Sequence, residues 1–479
     1  MGRVANPPGP VGTPPNLPHK MRRRHFLLLP TLLKAAPRSV QEFPVAKFGT
    51  VGDGKLPDTD AIQKAIEAAA AAAVKDGTAI VRFPAGRYLS GSILLKSGVT
   101  LHLDEGATLL GITDPNAYRA IDPFTEGTGH ELGYAFIGAV DATNVGIEGP
   151  GTIDGQGKEV LAELKGGDRN RRPFLVRFVR CNNVTLKDVK LRQSAVWTVH
   201  FSQCHNVAAQ RVNINSHAGA NNDGIDIDSC ELVHISECDI DTGDDSICLK
   251  TTSLLPCRDV TIANCKLRSN CATIKIGTES AGNFDNIKVT GCQLFDARLA
   301  GIKLLSVDGA HLQNVEISDI TMSAGHIPIF LRLGARLRTF RPGDPKKSPG
   351  TLENVNIRNF RASAEGPAIL LSGIPGHRVG NIRIQDLDVK LTGGGTDEDA
   401  AAALPEIPDA YPEITMFGRH LPAAVLYARH VEGLDVSGLR ASFDKPDRRP
   451  EKVLIDADGV TTTGWAVTPE PPGPSPKTP

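Results

Sequence analysis

From Ala79 onward, apolar and polar residues alternate in short runs separated by Gly, Pro or Asp, as in AIVRFPAGRYLSGSILLKSGVTLHLDEGATLLG. A period of two over four to six residues predicts a strand with one buried face. Further along, one small unit keeps returning: NNVTLKDVKL, HNVAAQRVNI, ELVHISECDI, DVTIANCKLR, NIKVTGCQLF, NVEISDITMS, NVNIRNFRAS and NIRIQDLDVK. Each has a polar residue, alternating apolar positions, a tight polar turn and a second short strand. The first apolar positions are Val184, Val207, Val233, Val260, Ile287, Val315, Val355 and Ile382, with successive gaps of 23, 26, 27, 27, 28, 40 and 27. A period in the twenties built from strands predicts an all-β solenoid: a parallel β-helix with one coil per repeat. The leucine-rich-repeat consensus, the main rival at this period, is absent.

One segment has a helical period instead. DAIQKAIEAAAAAAVKDG predicts a helix over 61–75, with Asp60 as N-cap, Gln63 as its capping-box partner and Gly77 as the stop. It stands before the first coils, where a solenoid needs its open end covered. RLRTFRPGDPKKSPG occupies the long gap, and LTGGGTDEDAAAALPEIPDAYPEITMFGRHLPA follows Lys390. Both are expected to be loops on one face of the solenoid, and in the second Tyr411 and Phe417 are expected to stack on a ligand or to anchor the loop. Three regions follow: a disordered leader over 1–40, a β-helix domain over 41–467, and a Pro-rich tail over 468–479. Within the leader, Arg22, Arg23 and Arg24 precede a short apolar run, the pattern of a twin-arginine signal near residues 21–36, so a periplasmic or secreted location is expected.

Charge narrows the partners. With 53 basic against 54 acidic residues there is no electrostatic reason to expect nucleic acid, and no apolar run is long enough to span a membrane. All nine cysteines fall between Cys181 and Cys292, which suits buried thiols better than a disulfide framework or a metal site.

Against this balance, NNDGIDIDSC and DTGDDSICLK concentrate acid. Coils stack about 4.8 Å apart, so matching Ile225 and Ile227 with Ile247 and Leu249 sets Asp223 beside Asp245, Asp244 next to Asn222 and Asp228 beside Lys250. Carrying the register on through Ile274, Ile276, Ile302 and Leu304, and back through Trp197 and Val199 with Trp197 in the core, predicts two outward columns. One holds Thr198, Asp226, Cys248, Lys275 and Lys303; the other holds His200, Asp228, Lys250, Gly277 and Leu305. Asp226 and Asp228 could pair with Lys250 as a solvated ladder. Asp223, Asp244 and Asp245 are harder to explain structurally, because packed like charges raise one another's pKa. Close carboxylates, one protonated and one ionised, are what glycosidic cleavage requires, and neighbouring lysines suit an acidic sugar polymer.

These stretches resemble the N-T-D-G-x-D and G/Q-D-D motifs of glycoside hydrolase family 28, the polygalacturonases and their relatives. FGTVGDGKLPDTDAIQKAIEAA, VGIEGPGTIDGQG and SAVWTVHFSQC are similar to its bacterial members. The resemblance implies a right-handed, single-stranded parallel β-helix and inverting hydrolysis of α-linked galacturonides in pectin-type polysaccharide, with no metal and no cofactor. It gives Asp244 the role of general acid and Asp223 and Asp245 the holding and activation of water. Asn221, Asp226, His200, Lys250, Lys275, Lys303 and Glu279 are the expected substrate-binding residues, in a chain acting as a monomer. Two motifs depart from the family. Cys271, Ala272 and Thr273 stand at G-H-G, so Ala272 replaces the histidine, and Lys303 and Leu305 stand for the arginine and lysine of R-I-K. The alternatives left open are a polysaccharide lyase on the same architecture and a noncatalytic glycan-binding β-helix.

Overall fold

In the computed structural model, residues 40–164, 167–418 and 421–468 are described. The expected signal segment, and the leader and tail apart from Val40 and Thr468, lie outside them. Strands run from Gln41–Pro44 to Ala466–Thr468 and pair in parallel from coil to coil, forming a parallel β-helix. One ladder stacks Phe174–Val179, Val199–Ser202, Ile225–Asp228, Ile247–Thr251 and Ala272–Ser280. A second stacks Asn182–Lys187, His205–Gln210, Glu231–Ser236, Cys257–Ala263 and Phe284–Thr290. A third stacks Lys190–Arg192, Asn213–Ser216, Asp239–Thr242 and Lys266–Ser269.

In seven of the eight repeats the residue before the first apolar position is Asn or Asp, and it has a backbone reason; in the third it is Leu232, at φ +57°. Asn183, Asn206, Asp259, Asn286, Asn314, Asn354 and Asn381 all take φ between +49° and +57°, a left-handed conformation that Asn and Asp tolerate best among side-chain-bearing residues. Their side chains also join coils: Asn206 Nδ2 donates to Asn183 Oδ1 at 2.7 Å, and Asn183 Nδ2 to Asn144 Oδ1 at 2.9 Å. The next apolar residue of each unit, Val184 through Ile382, then turns into one continuous core.

The helix covers the N-terminal coil as expected, with Ile62, Ala65, Ile66 and Ala69 buried in the same core as Val81 and Val99. Its start differs. It spans Thr59–Asp76 with Asp58 as N-cap and no side-chain cap, and the capping box does not form. Asp58 instead accepts from the backbone of Val51 and Gly52, and Gln63 bonds the N–H and C=O of Leu94. Tertiary partners therefore outcompete the local cap. Gly77 does end the helix, donating to Ala73 O at 2.7 Å.

The register around the acidic stretches holds in part. Asp226, Cys248, Lys275 and Lys303 form one column, and Asp228 pairs with Lys250. Backwards, the ladder is two residues off the expectation: His200 pairs with Asp226 and Ser202 with Asp228. Val199 and Phe201 fill the core positions, whereas Trp197 stays in the preceding turn and packs with Phe124 and Phe174 in a separate apolar cluster. Forwards, the second column breaks after Asp228 and Lys250. Thr251 pairs with Ser280, so residues 277–279 stand opposite the single Lys250. The excess residues form a bulge that carries Glu279 to Lys250. Gly277, at φ +92°, makes the bulge possible: a Cβ there would lie 2.5 Å from Leu305 O.

Candidate active site

Asp223 and Asp245 each enter a strand of the first ladder from its preceding turn, and the turns are held from behind. Buried Asn222 donates to Ser194 O and Val196 O, at 2.8 and 2.9 Å, and accepts from Ala218 N. Ser269 donates to Asp244 O at 2.6 Å. Neighbouring rungs meet where Gly224 N donates to Asp245 O at 2.9 Å and Asp244 N to Asn222 O at 3.3 Å.

Two charge groups result. In the first, the Lys250 ammonium lies 3.3 Å from Asp223, 3.4 Å from Asp226 and 3.4 Å from Glu279, and 4.2 Å from the Trp197 ring centroid. All four charged residues are buried. Burial, reinforced by Asp226, drives the Asp223 pKa well above the ordinary carboxyl value. Burial also raises Asp226 to about 8 despite Lys250, and neither Asp226 oxygen has a well-aligned hydrogen-bond partner. Glu279 is opposite in character. Against its burial, Lys250, Lys275 and Arg336 hold it at about 2, and it accepts from Gly127 N at 2.8 Å.

In the second group, Lys275 Nζ lies 2.7 Å from Asp245 Oδ2, and Ala272 N donates to Oδ1 at 3.1 Å. Burial works against ionisation of Asp245, but Lys275, Lys303 and Lys250 overcome it and take its pKa below the usual range. Asp244, next in the chain, is the one partly exposed member of the Asp223, Asp244 and Asp245 set. Burial and the charge of Asp245 raise its pKa. Adjacent carboxylates are thus pushed in opposite directions.

The remaining expected residues fall as follows. Asn221 accepts from both terminal nitrogens of Arg172 at 3.3 Å. Lys303 is fully buried and bound to Glu413 at 2.6 Å, with Cys271 Sγ at 3.6 Å. His200, expected on an outward column, is fully buried among Phe124, Phe174 and Trp197. Its Nε2 lies 3.2 Å from Asp228 Oδ2, and burial lowers its pKa to about 4, leaving it neutral. Asp228 is no part of a solvated ladder. Burial opposes its ionisation, yet the bonds from His200 and Thr252 hold it at about 2. Phe417 is buried and anchors the late loop, whereas Tyr411 is exposed and accepts from Thr278 Oγ1 at 3.2 Å.

Arg172, Gly127 and Arg336 were not found by motif. Gly127 and Arg172 lie in TEGTGHELGYAF and DRNRRPF respectively, which depart from the repeat pattern, and that departure was the available signal. Eight of the nine free cysteines are buried; the partly exposed one is Cys271. Its thiol lies within 4.8 Å of carboxylate oxygens of Asp244 and Asp245, and the Cys248 thiol is equally close to Asp223 and Asp226. These trios have ligand types suited to a metal, but a lysine ammonium already stands against the carboxylates of each.

A family model described as Glycosyl hydrolases family 28 matches residues 77–406, and one described as Rhamnogalacturonase A/epimerase, pectate lyase-like, matches residues 43–108. A probable polygalacturonase of Vitis vinifera is 27% identical over 362 residues, 72% of this chain and 73% of that protein. An endo-polygalacturonase of Pectobacterium parmentieri is 30% identical over 309 residues, 57% of this chain and 75% of that protein. Among solved structures, an exopolygalacturonase from Thermotoga maritima superposes with a TM-score of 0.63 at 24% identity, covering 74% of this chain and 88% of the other. That likeness concerns the fold. The matches do not favour the lyase or noncatalytic alternatives. Among the described residues no helix is long and apolar enough to cross a membrane.

Proposed function

Because this chain belongs to the glycosyl hydrolases of family 28 and is a glycoside hydrolase acting on O-glycosyl bonds, we propose that it hydrolyses α-linked galacturonides of pectin-type polysaccharide with inversion. The polygalacturonase names of its relatives support the substrate class. The split between Asp244 and Asp245 carries the mechanism. Asp244, partly exposed and with a raised pKa, keeps its proton for the glycosidic oxygen. Asp245, kept ionised by Lys275, accepts a proton from the attacking water, and Asp223 holds that water from the neighbouring rung. As the leaving oxygen is protonated, water attacks the anomeric carbon from the opposite face and the α-linked sugar leaves as the β-anomer. Lys250 and Lys275 supply the positive charge that an acidic sugar calls for. One chain supplies every residue used, which supports a monomer, and a polymer substrate supports the exported location expected from Arg22–Arg24.

The test is incubation with galacturonan and rhamnogalacturonan fragments, reading the product anomer by NMR. β-Anomer from wild type, with turnover reduced roughly 10²–10⁴-fold in Asp244→Asn, is expected. α-Anomer, or an unimpaired variant, would overturn the mechanism.

A further inference from the structure

Three excursions from the coils enclose the carboxylates, and their contacts make one continuous wall. The hairpin formed by Arg119–Thr125 and Glu131–Val140 covers the N-terminal side, packing Phe124 and Leu132 over Phe174 and Trp197. The late loop covers the C-terminal side, where Ile414, Phe417 and Leu421 pack on Leu305, Phe330 and Tyr427 and Glu413 grips Lys303. The loop after Leu333 closes the edge at the strand ends. Arg336 is bound to Asp308 at 2.9 Å and to Gly127 O at 3.1 Å, Arg338 also donates to Gly127 O, and Thr125 N donates to Phe340 O at 3.2 Å. Ala335 N donates to Pro408 O at 2.6 Å, joining this loop to the late one. Glu279, under Gly127, lies on the inner side of the wall.

The fourth side, in front of the turns that lead into the strands, is different. Here lies a cavity of about 670 Å³, within the ~300–1,000 Å³ range of ligand pockets, and its wall includes Asn270, the neighbour of Cys271. Its ionic groups are paired with one exception. Arg268 is bound to Asp296 at 2.8 Å, His217 lies 2.8 Å from Asp241, and His326 approaches Glu365 at 4.0 Å. Arg298, exposed in the same wall, has no hydrogen-bond or ion-pair partner among the described residues. Asp244, the partly exposed carboxylic acid, belongs to a turn on this side.

Resting on the hydrolase reading above, we infer that the enzyme is end-acting. A chain end enters the walled site, the scissile bond lies at the mouth beside Asp244, and the rest of the acidic polymer leaves through the turn-side cavity with a carboxylate on Arg298. A polymer bound in mid-chain would have to pass through the joined loops at Gly127, Arg336 and Pro408.

The wild-type enzyme and polygalacturonate decide the matter by product sizing early in the reaction, alongside viscosity. One small product from the first time point, with viscosity falling slowly relative to reducing ends released, is expected. A ladder of intermediate oligomers with early collapse of viscosity would overturn end action while leaving the hydrolase reading intact. No product from any galacturonan or rhamnogalacturonan fragment would overturn both. Replacing exposed Arg298 tests the exit path. Arg298→Ala should lower kcat/KM for long chains, relative to that for the shortest cleaved oligomer, by about tenfold, the loss of one charge-assisted contact. An unchanged ratio would remove Arg298 from the proposal.

Discussion

Lys250→Met gives the most informative perturbation, because one ammonium faces three buried carboxylates at 3.3, 3.4 and 3.4 Å. At such distances an ionised pair is worth about 5 kcal/mol at an effective dielectric constant near 20. Much of that offsets the desolvation of the charges, so deleting one partner of a buried pair leaves a net loss of about 3–5 kcal/mol. The loss should depend on pH. Asp226 has a folded pKa of about 8 and Asp223 is also raised, both above their unfolded value near 3.8. Wild type and variant alike lose stability as pH rises from about 4 to 8, because each folded state holds protons that its unfolded state has released; without Lys250 both pKa values rise further, so the two proteins part above about pH 8, where wild-type Asp226 ionises beside Lys250 and the variant keeps its proton. Glu279, with a folded pKa of about 2, remains charged there and loses one of its three cations. Denaturant unfolding of wild type and variant at pH 7 and 9 should show a deficit at both, set at the lower pH by the uncompensated charge of Glu279 and about 1 kcal/mol larger at the higher. Adding Glu279→Gln should recover about 1–2 kcal/mol, as expected for directly coupled groups. A deficit below about 1 kcal/mol at pH 7, or one no larger at pH 9, would refute the electrostatic account of this group.

Three further outcomes are expected. Lys275→Met removes the cation 2.7 Å from Asp245; the Asp245 pKa then rises, and the acid limb of the kcat/KM profile moves to higher pH. Gly277→Ala sets a Cβ against Leu305 O at φ +92°, so it should destabilise by about 1–3 kcal/mol in thermal or denaturant unfolding and lower activity by shifting Glu279. A chelator should leave turnover unchanged, because lysine ammonium groups occupy the positions between carboxylates that a cation would take; loss of activity restored by calcium would revive the lyase reading.

Much of this protein is written in local sequence. The Asn or Asp that opens a repeat is there because its backbone is left-handed, and the apolar positions after it can face only one way once that turn is made. Recurrence of this unit about every 27 residues implies stacked coils, and stacking alone pairs Asp228 with Lys250 and aligns Asp226 with Lys275. Residues in such a ladder are neighbours by arithmetic, so a repeat can be read without knowing the rest of the chain.

Other features obey no such arithmetic. The two-residue slip at His200 arose because Trp197 found aromatic partners on the hairpin at 119–140, and the bulge at 277–279 brought Glu279 to Lys250. Gly127, Arg336 and Glu413 reach the site from loops that lie far along the chain from the acidic stretches. Sequence determined the solenoid and the carboxylates on its adjacent rungs, because both follow from repeat period and side-chain alternation. Tertiary structure alone decided which way each carboxyl's pKa is pushed and which loops border the carboxylates, because burial, lysine distances and loop contacts depend on segments that meet only after folding.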